Sequence, residues 1–265
     1  ELEKIPASRF AIEQIIHHLE LIENTPRDTQ NFTLKTNAVL GLLPLKKRIS
    51  QTQSIIEQGY TCLKCKISSD TFDNDLEYLN ELFKLIPPEI QIRLDANGSF
   101  NKDNAQQALK QLEKFPIEYI EDICTDSDDI IMLSKQTKNS LAIDKGINTS
   151  DNMAYFMDNS SISTFIYKPV SAGGFFELKK FLSQAGSKNA KIIISSSFEH
   201  PLGLEYLKVM ASYLELPGPH GLAVSKFYDY SSPISEKPEE HYDQKIYLEN
   251  IQKLKINCKG EYSFA

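Results

Sequence analysis

Five charged residues punctuate this 265-residue chain at nearly even intervals, each closing a short apolar run. They are Lys66, Asp95, Glu121, Asp144 and Lys168, separated by 29, 26, 23 and 24 residues. A strand, a helix and two loops together take about 25–30 residues. The spacing therefore puts one charge at the same place in each successive βα unit. Buried strands seldom end in charges unless a site needs them there. In a parallel barrel the C-terminal ends of the strands surround one opening, where active sites sit. Two ammonium groups facing three carboxylates around such a mouth point to a divalent metal with a lysine on either side of it.

The intervening sequence alternates accordingly. Strand-like runs occur at 34–40, 62–67, 90–94, 117–120, 141–143, 163–167 and 191–195. Helix-like stretches fall at about 47–58, 73–86, 102–114, 127–137, 149–158, 173–186 and 203–214. Seven βα units predict a parallel sheet with helices outside it, and the even spacing favours a closed barrel over an open doubly wound sheet. Residues 6–22 have helical periodicity through Phe10, Ile12, Ile15, Ile16, Leu19 and Ile22, with Ser8 as N-cap. Residues 24–31 are a polar connection. From about 217 the pattern changes: LPGPHG is a turn-rich break, 231–240 are polar and Pro-containing, and 244–257 predict a strand pair or a strand and a helix. The expected organisation is a leading helix and connection over 1–31, a catalytic barrel over 32–225 and a C-terminal tail over 226–265.

The chain's composition narrows its partners. A net charge of −7 argues against nucleic-acid binding. No apolar run approaches the roughly 20 residues that span a bilayer, and Glu1-Leu2-Glu3-Lys4 shows no signal-peptide pattern. Four cysteines suit a reducing cytoplasm. A cytoplasmic protein acting on a small molecule is expected, with no nucleic-acid or membrane partner.

Lys64 and Lys66, two apart in a strand, share one face, which is the interior of a buried parallel strand. Burial and like charge should lower the pKa of at least one, leaving a neutral amine able to act as a base. Asp95 (with Asn97 two residues on), Glu121 and Asp144 bring hard oxygen ligands from three strands, a set that suits Mg²⁺. Taken singly, each could be a helix N-cap or a surface charge; three in register between lysine-bearing strands are hard to explain that way. Cys62 and Cys65 form a CxxC, but residues three apart in a strand face opposite ways. His17 and His18 read as surface or packing residues. Gly173-Gly174 opens a helix after the sixth strand, either cradling an anion or permitting a tight turn.

These residues resemble the enolase superfamily, and within it the o-succinylbenzoate synthases of menaquinone biosynthesis. KCKI (64–67) matches the KxK strand, RLDANGSF (93–100) the first metal aspartate, EYIED (118–122) the metal glutamate, AID (142–144) the third carboxylate and YKP (167–169) the second lysine. ISSSFEHPLGL (194–204) is similar to the SSS-x-E stretch of the seventh strand, and PASRFAIE (6–13) to the helix leading into the barrel. The chain departs from the pattern at Glu121-Asp122-Ile123, where Glu-Glu-Pro is usual, at Asp144-Lys145-Gly146, where Asp-Glu-Ser is usual, and at His200-Pro201.

The resemblance implies a TIM-like (β/α)7β barrel. It also implies an N-terminal capping domain, expected to be absent or severely truncated here. Mg²⁺, with Mn²⁺ as a substitute, would be held by Asp95, Glu121 and Asp144. The reaction implied is syn dehydration of 2-succinyl-6-hydroxy-2,4-cyclohexadiene-1-carboxylate, with Lys66 as base and Lys64 and Lys168 as fixed positive charges. Ser196, Ser197, Asn97 and Gly173 are the expected substrate contacts. Racemisation of N-succinylamino acids or dipeptide epimerisation are rival superfamily reactions; a non-catalytic barrel or an inactive fragment are rivals of another class.

Overall fold

Strands built from consecutive apolar residues must be covered on both faces, and this chain follows such strands with helices. The computed structural model describes residues 5–23, 32–187, 189–224, 237–242 and 249. The strands are β1 (Phe32–Lys35), β2 (Ala38–Leu40), β3 (Cys62–Lys66), β4 (Gln91–Asp95), β5 (Ile117–Glu121), β6 (Leu141–Ile143), β7 (Thr164–Tyr167), β8 (Lys191–Ile194) and β9 (Glu239–Tyr242). The helices are α1 (Pro6–Glu23), α2 (Leu45–Glu57), α3 (Phe72–Leu85), α4 (Lys102–Leu112), α5 (Ser127–Gln136), α6 (Ser150–Asn159), α7 (Pro169–Ala172), α8 (Gly174–Ser187) and α9 (Pro201–Tyr213).

The chain divides into two compact units. The first comprises Asn37–Tyr167 with Lys180–Ile192. Its strands belong to the seven-stranded sheet of order β2-β3-β4-β5-β6-β7-β8, parallel at each pairing from β2 to β7. Two of the helices that follow strands show the local chemistry that starts and stops them. Asn101 caps α4 by accepting from the Asn104 amide at 2.9 Å, and Asp126 caps α5 by accepting from Asp129 at 2.9 Å. Lys110 and Lys135 lie in the last turns, where positive charge complements the helix dipole. Ala105, Ala108, Leu109 and Leu112 form the buried stripe of α4. A fully buried side chain of leucine size contributes about 1.5–3 kcal/mol, so this stripe outweighs the capping energy.

The register fixes the site. Lys66 pairs with Asp95, and Asp95 with Glu121, so three of the strand-end charges stand in one row. The pairing of β4 with β5 shifts between Ile92 and Arg93: Ile92 faces Ile117 and Arg93 faces Tyr119, so Glu118 is the extra residue of a bulge.

The second unit comprises Glu1–Thr36, Lys168–Lys179 and Ile193–Ala265. Here α1 packs on α7 and α9, with Phe10 against Tyr206 and His17 against Phe175 and Tyr206. His220 and Gly221 make single parallel bridges to Thr36 and Ser195. Thr36 lies just before β2 in the chain and Ser195 directly follows β8. The α/β parallel architecture expected from the sequence is therefore the one observed.

Three local expectations change. Ser8 is not the N-cap of α1, which opens at Pro6 and places Ser8 inside its first turn. The run 34–40 is not one strand. It breaks at Thr36-Asn37: β1 pairs antiparallel with β9, and only β2 enters the parallel sheet. The stretch 173–186 is preceded by the short α7, closed by Gly173 at φ +100°. The connection at 24–31 lies outside the described residues, as does most of the tail from 226, including all of 244–257 except Glu249. Among the described residues no helix is long and apolar enough to cross a membrane.

Candidate active site

Within the first unit, β3, β4 and β5 deliver Lys64, Lys66, Asp95 and Glu121 to one cluster. Lys64 Nζ lies 2.7 Å from Glu121 Oε1 and 3.1 Å from Asp95 Oδ2, while Lys66 Nζ lies 3.2 Å from the same Asp95 oxygen. Lys64 is the more enclosed lysine, its side chain 13% exposed against 39% for Lys66.

The electrostatics differ from the expectation for two adjacent lysines. Burial opposes the Lys64 charge, but the carboxylates of Glu121 and Asp95 outweigh it and hold that ammonium above the usual lysine range. Lys64 is thus held as a fixed cation. The Asp95 carboxyl, despite its burial, is drawn below the usual range by Lys64 and Lys66. Burial pushes Glu121 up to about 7, with Lys64 pulling against the rise and the charges of Asp95 and Asp144 adding to it.

Asp144 follows β6 and is half-buried. Its amide donates to Asp122 Oδ1 at 3.0 Å, and the Lys145 amide donates to Asp122 Oδ2 at 3.3 Å. Lys145 Nζ reaches the Asn97 carbonyl at 3.1 Å, and the Gly98 amide donates to the Asp122 carbonyl at 2.6 Å. The loops after β4, β5 and β6 are therefore strapped to one another through Asp122 and Lys145, two of the positions where the sequence departs from the superfamily pattern. Asn97 and Asp122 both have positive φ, at 51° and 45°, a conformation that Asn and Asp tolerate better than other side chains. Burial lifts the Asp122 carboxyl to about 6, against the two backbone amides it accepts. Asn97 is exposed, and its amide donates to Asp95 Oδ1 at 3.0 Å.

Among the described residues no three His, Cys, Asp or Glu side chains gather closely enough to form a metal-holding group. The Lys64 ammonium stands between Asp95 and Glu121 and takes one oxygen from each. The donor set nevertheless fits a hard divalent cation. Asp95, Glu121 and Asp144 present only carboxylate oxygens at the ends of neighbouring strands. Glu121 Oε2 is buried without a hydrogen-bond partner among the described residues, a condition that costs about 1–3 kcal/mol or more for a charged group and that a cation would relieve.

The remaining expected site residues lie in the second unit. Lys168 is half-buried, and its carbonyl accepts from the Ser171 and Ala172 amides at 2.9 Å, opening α7. Ser196 Oγ donates to Glu199 Oε2 at 2.5 Å, and the Ser197 amide donates to Glu199 Oε1 at 2.8 Å. The serine stretch thus already receives a carboxylate, that of Glu199. The glycine pair does the same. At the start of α8 the amides of Phe175 and Phe176 donate to Glu13 Oε2 at 2.5 and 3.3 Å, so the anion next to Gly173 is the chain's own.

A second charged layer was not singled out from the sequence. Arg93, fully buried, donates to Glu118 at 2.6 Å and to Asn37 Oδ1 at 3.1 Å, and Lys191 donates to Glu118 at 2.5 Å. The available signal was Arg93 itself, two residues before Asp95 and so on the same face.

Compared with known proteins, residues 47–230 match the family model described as "Enolase C-terminal domain-like". The chain belongs to this enolase C-terminal domain-like family. Among curated relatives of this family member, an o-succinylbenzoate synthase from Desulfotalea psychrophila is 26% identical over 245 residues, covering 87% of this chain and 65% of the relative. An L-Ala-D/L-Glu epimerase from Bacillus subtilis is 23% identical over 177 residues, covering 65% and 48%. The chain spans roughly half to two-thirds of the length of the curated relatives it matches. The crystal structure of MenC from Desulfotalea psychrophila superposes with a TM-score of 0.72 at 23% identity, covering 79% of this chain and 60% of that one. A dipeptide epimerase structure from Enterococcus faecalis gives 0.78 at 16% identity, covering 89% and 72%. These likenesses establish an enolase-superfamily fold shared by enzymes of several reactions.

Proposed function

We propose that this chain carries the catalytic residues of an o-succinylbenzoate synthase, a lyase that dehydrates 2-succinyl-6-hydroxy-2,4-cyclohexadiene-1-carboxylate in the cytoplasm as a step of menaquinone biosynthesis. The observation that supports the reading most is the Lys64–Lys66–Asp95–Glu121 cluster at the ends of three adjacent strands. Lys64, held charged between two carboxylates, is unsuited to remove a proton, which leaves Lys66 as the base. In this reading the Lys66 amine takes the proton α to the substrate carboxylate and becomes an ammonium. It then returns that proton to the departing hydroxyl, and water leaves as the ring becomes aromatic. Lys64 supplies fixed positive charge to the electron-rich intermediate. Lys168 enters the reading through its YKP motif. Asp95, Glu121 and Asp144 would hold Mg²⁺, or Mn²⁺ in its place, which when bound supplies Lewis-acid stabilisation of the substrate's carboxylate.

The test is Mg²⁺-dependent loss of the cyclohexadiene's ultraviolet absorbance with this chain and with its Lys66→Ala variant. Turnover that needs both the metal and Lys66 supports the reading; turnover surviving in Lys66→Ala overturns the assignment of the base. A second reading, racemisation or epimerisation of an amino-acid derivative, is favoured by the epimerase among the relatives. It predicts solvent deuterium entering the α position of an N-succinylamino acid or dipeptide, without loss of water.

A further inference from the structure

Lys66 is the last residue of β3, and β2 ends one position short of it: Leu40 pairs with Cys65. In a parallel sheet, alternate residues address opposite neighbours. The Ile67 amide donates to Asp95 O on the β4 side at 3.0 Å, so the Lys66 carbonyl faces the β2 side, beyond the end of that strand. Arg48, from α2, fills the gap, one arm of its guanidinium donating to the Lys66 carbonyl. Its other arm donates to Asp75 Oδ1 at 2.5 Å. The second oxygen of Asp75 accepts from the Ser68 amide at 3.0 Å and from Thr71 Oγ1 at 3.1 Å. The guanidinium lies over the Tyr78 ring, 3.9 Å from its centroid. Arg48 and Asp75 are both about 2% exposed.

A buried ion pair is a costly way to join α2 and α3, since apolar residues of similar volume do as well or better for stability. What the pair does that apolar residues cannot is bond the backbone at two points just after the Lys66 Cα, the carbonyl of Lys66 and the amide of Ser68.

We infer that Arg48 and Asp75 form a positioning clamp for Lys66. The pair grips the main chain at the Lys66 carbonyl and at the Ser68 amide just after it, and so aims the Lys66 amine. The clause about aim rests on the reading of Lys66 as the base; the clause about grip does not.

The test uses the full chain with Arg48→Met/Asp75→Leu, which removes both charges together and strands neither. Tyr78→Phe serves as a control. It deletes a hydroxyl from the same cluster, bonded to Thr52 at 2.9 Å, but touches neither end of the clamp. Amide hydrogen exchange of the 66–71 segment should rise about tenfold in the double variant while the rest of the first unit keeps its protection. In an active parent, kcat should fall about 10–100-fold, the range associated with a misplaced group, with KM changed by less than about threefold. Tyr78→Phe should leave all three quantities in place. Unchanged exchange in a folded double variant overturns the clamp, and raised exchange with unchanged kcat overturns the aim. Should the parent not turn over, the functional reading fails separately. Acetylation of Lys66 followed by mass spectrometry then decides: an altered rate in the double variant supports the clamp, and an equal rate overturns it.

Discussion

Lys64 Nζ and Glu121 Oε1 stand 2.7 Å apart, the glutamate buried and the lysine largely enclosed. Burial alone would discharge both, and their proximity is what keeps the lysine charged. Lys64→Met should therefore strand a buried carboxylate and lift the Glu121 pKa above its present value of about 7. Removing one partner of a buried pair costs about 3–5 kcal/mol, readable by urea denaturation at neutral pH. Adding Glu121→Gln should recover part of that loss, and an additive double variant would show that the two groups are not coupled.

The lower charged layer carries its own pH signature. Burial opposes ionisation of Glu118, but hydrogen bonds and charge from Arg93, joined by Lys191, outweigh it and hold its pKa below the ordinary 4.5. A lowered carboxylate pKa contributes stability that is fully present above the unfolded value and is lost as pH falls through the folded value. The stability gap between parent and Glu118→Gln should thus be widest near pH 7, about 2–4 kcal/mol because the buried Arg93 loses the carboxylate it donates to. It should narrow steadily below about pH 4.5. A gap independent of pH from 3 to 7, measured by denaturation, would contradict the assignment.

Metal binding can be read without turnover. Asp95→Asn should weaken the Mg²⁺ isotherm about tenfold or more in calorimetry, since a neutral amide is a poorer ligand for a hard cation. Asp122→Ala should weaken it less. Its effect would act through the Asp144 and Lys145 amides that lose their acceptor. Equal isotherms for parent and Asp95→Asn would remove that aspartate from the site.

Gly174 has φ +85°, and a Cβ there would lie 2.2 Å from Glu13 Oε2. Gly174→Ala should push the carboxylate away from the α8 amides and strain the backbone, for a combined loss of about 2–4 kcal/mol. Glu13→Gln should cost less, because an amide oxygen still accepts. Thermal unfolding of the two variants checks the order.

The βα rhythm was legible because each unit's apolar run and helical stripe are local patterns. What escaped depends on partners far away in sequence. The break at Thr36-Asn37 follows from pairing with residues about 200 positions later: the Thr36 amide donates to Pro238 O and its hydroxyl to Lys237 O. What holds Lys64 charged escaped for the same reason, since Lys66 is its sequence neighbour whereas Asp95 and Glu121 arrive through register. The glycine pair at 173–174 gave no hint that Glu13 would fill its helix end. Asp122 and Lys145 looked like departures from a motif, and only the loop contacts show the two working together.

The bulge in β5 has a bearing on how this chain tolerates insertion and deletion. Glu118 and Glu121 are three residues apart, a spacing that in an unbroken strand would aim them at opposite sides. The extra residue resets the phase midway, so that one strand serves the Arg93 layer with one glutamate and the Lys64 layer with the other. Deleting Glu118, the extra residue, would straighten the strand and keep Glu121 opposite Asp95, while the Arg93 layer would lose its glutamate. A single-residue deletion in the helix or loop that follows would leave the row of Asp95 and Glu121 intact. A strand without the bulge therefore aligns with this one through a gap at Glu118, which keeps Asp95 and Glu121 in register.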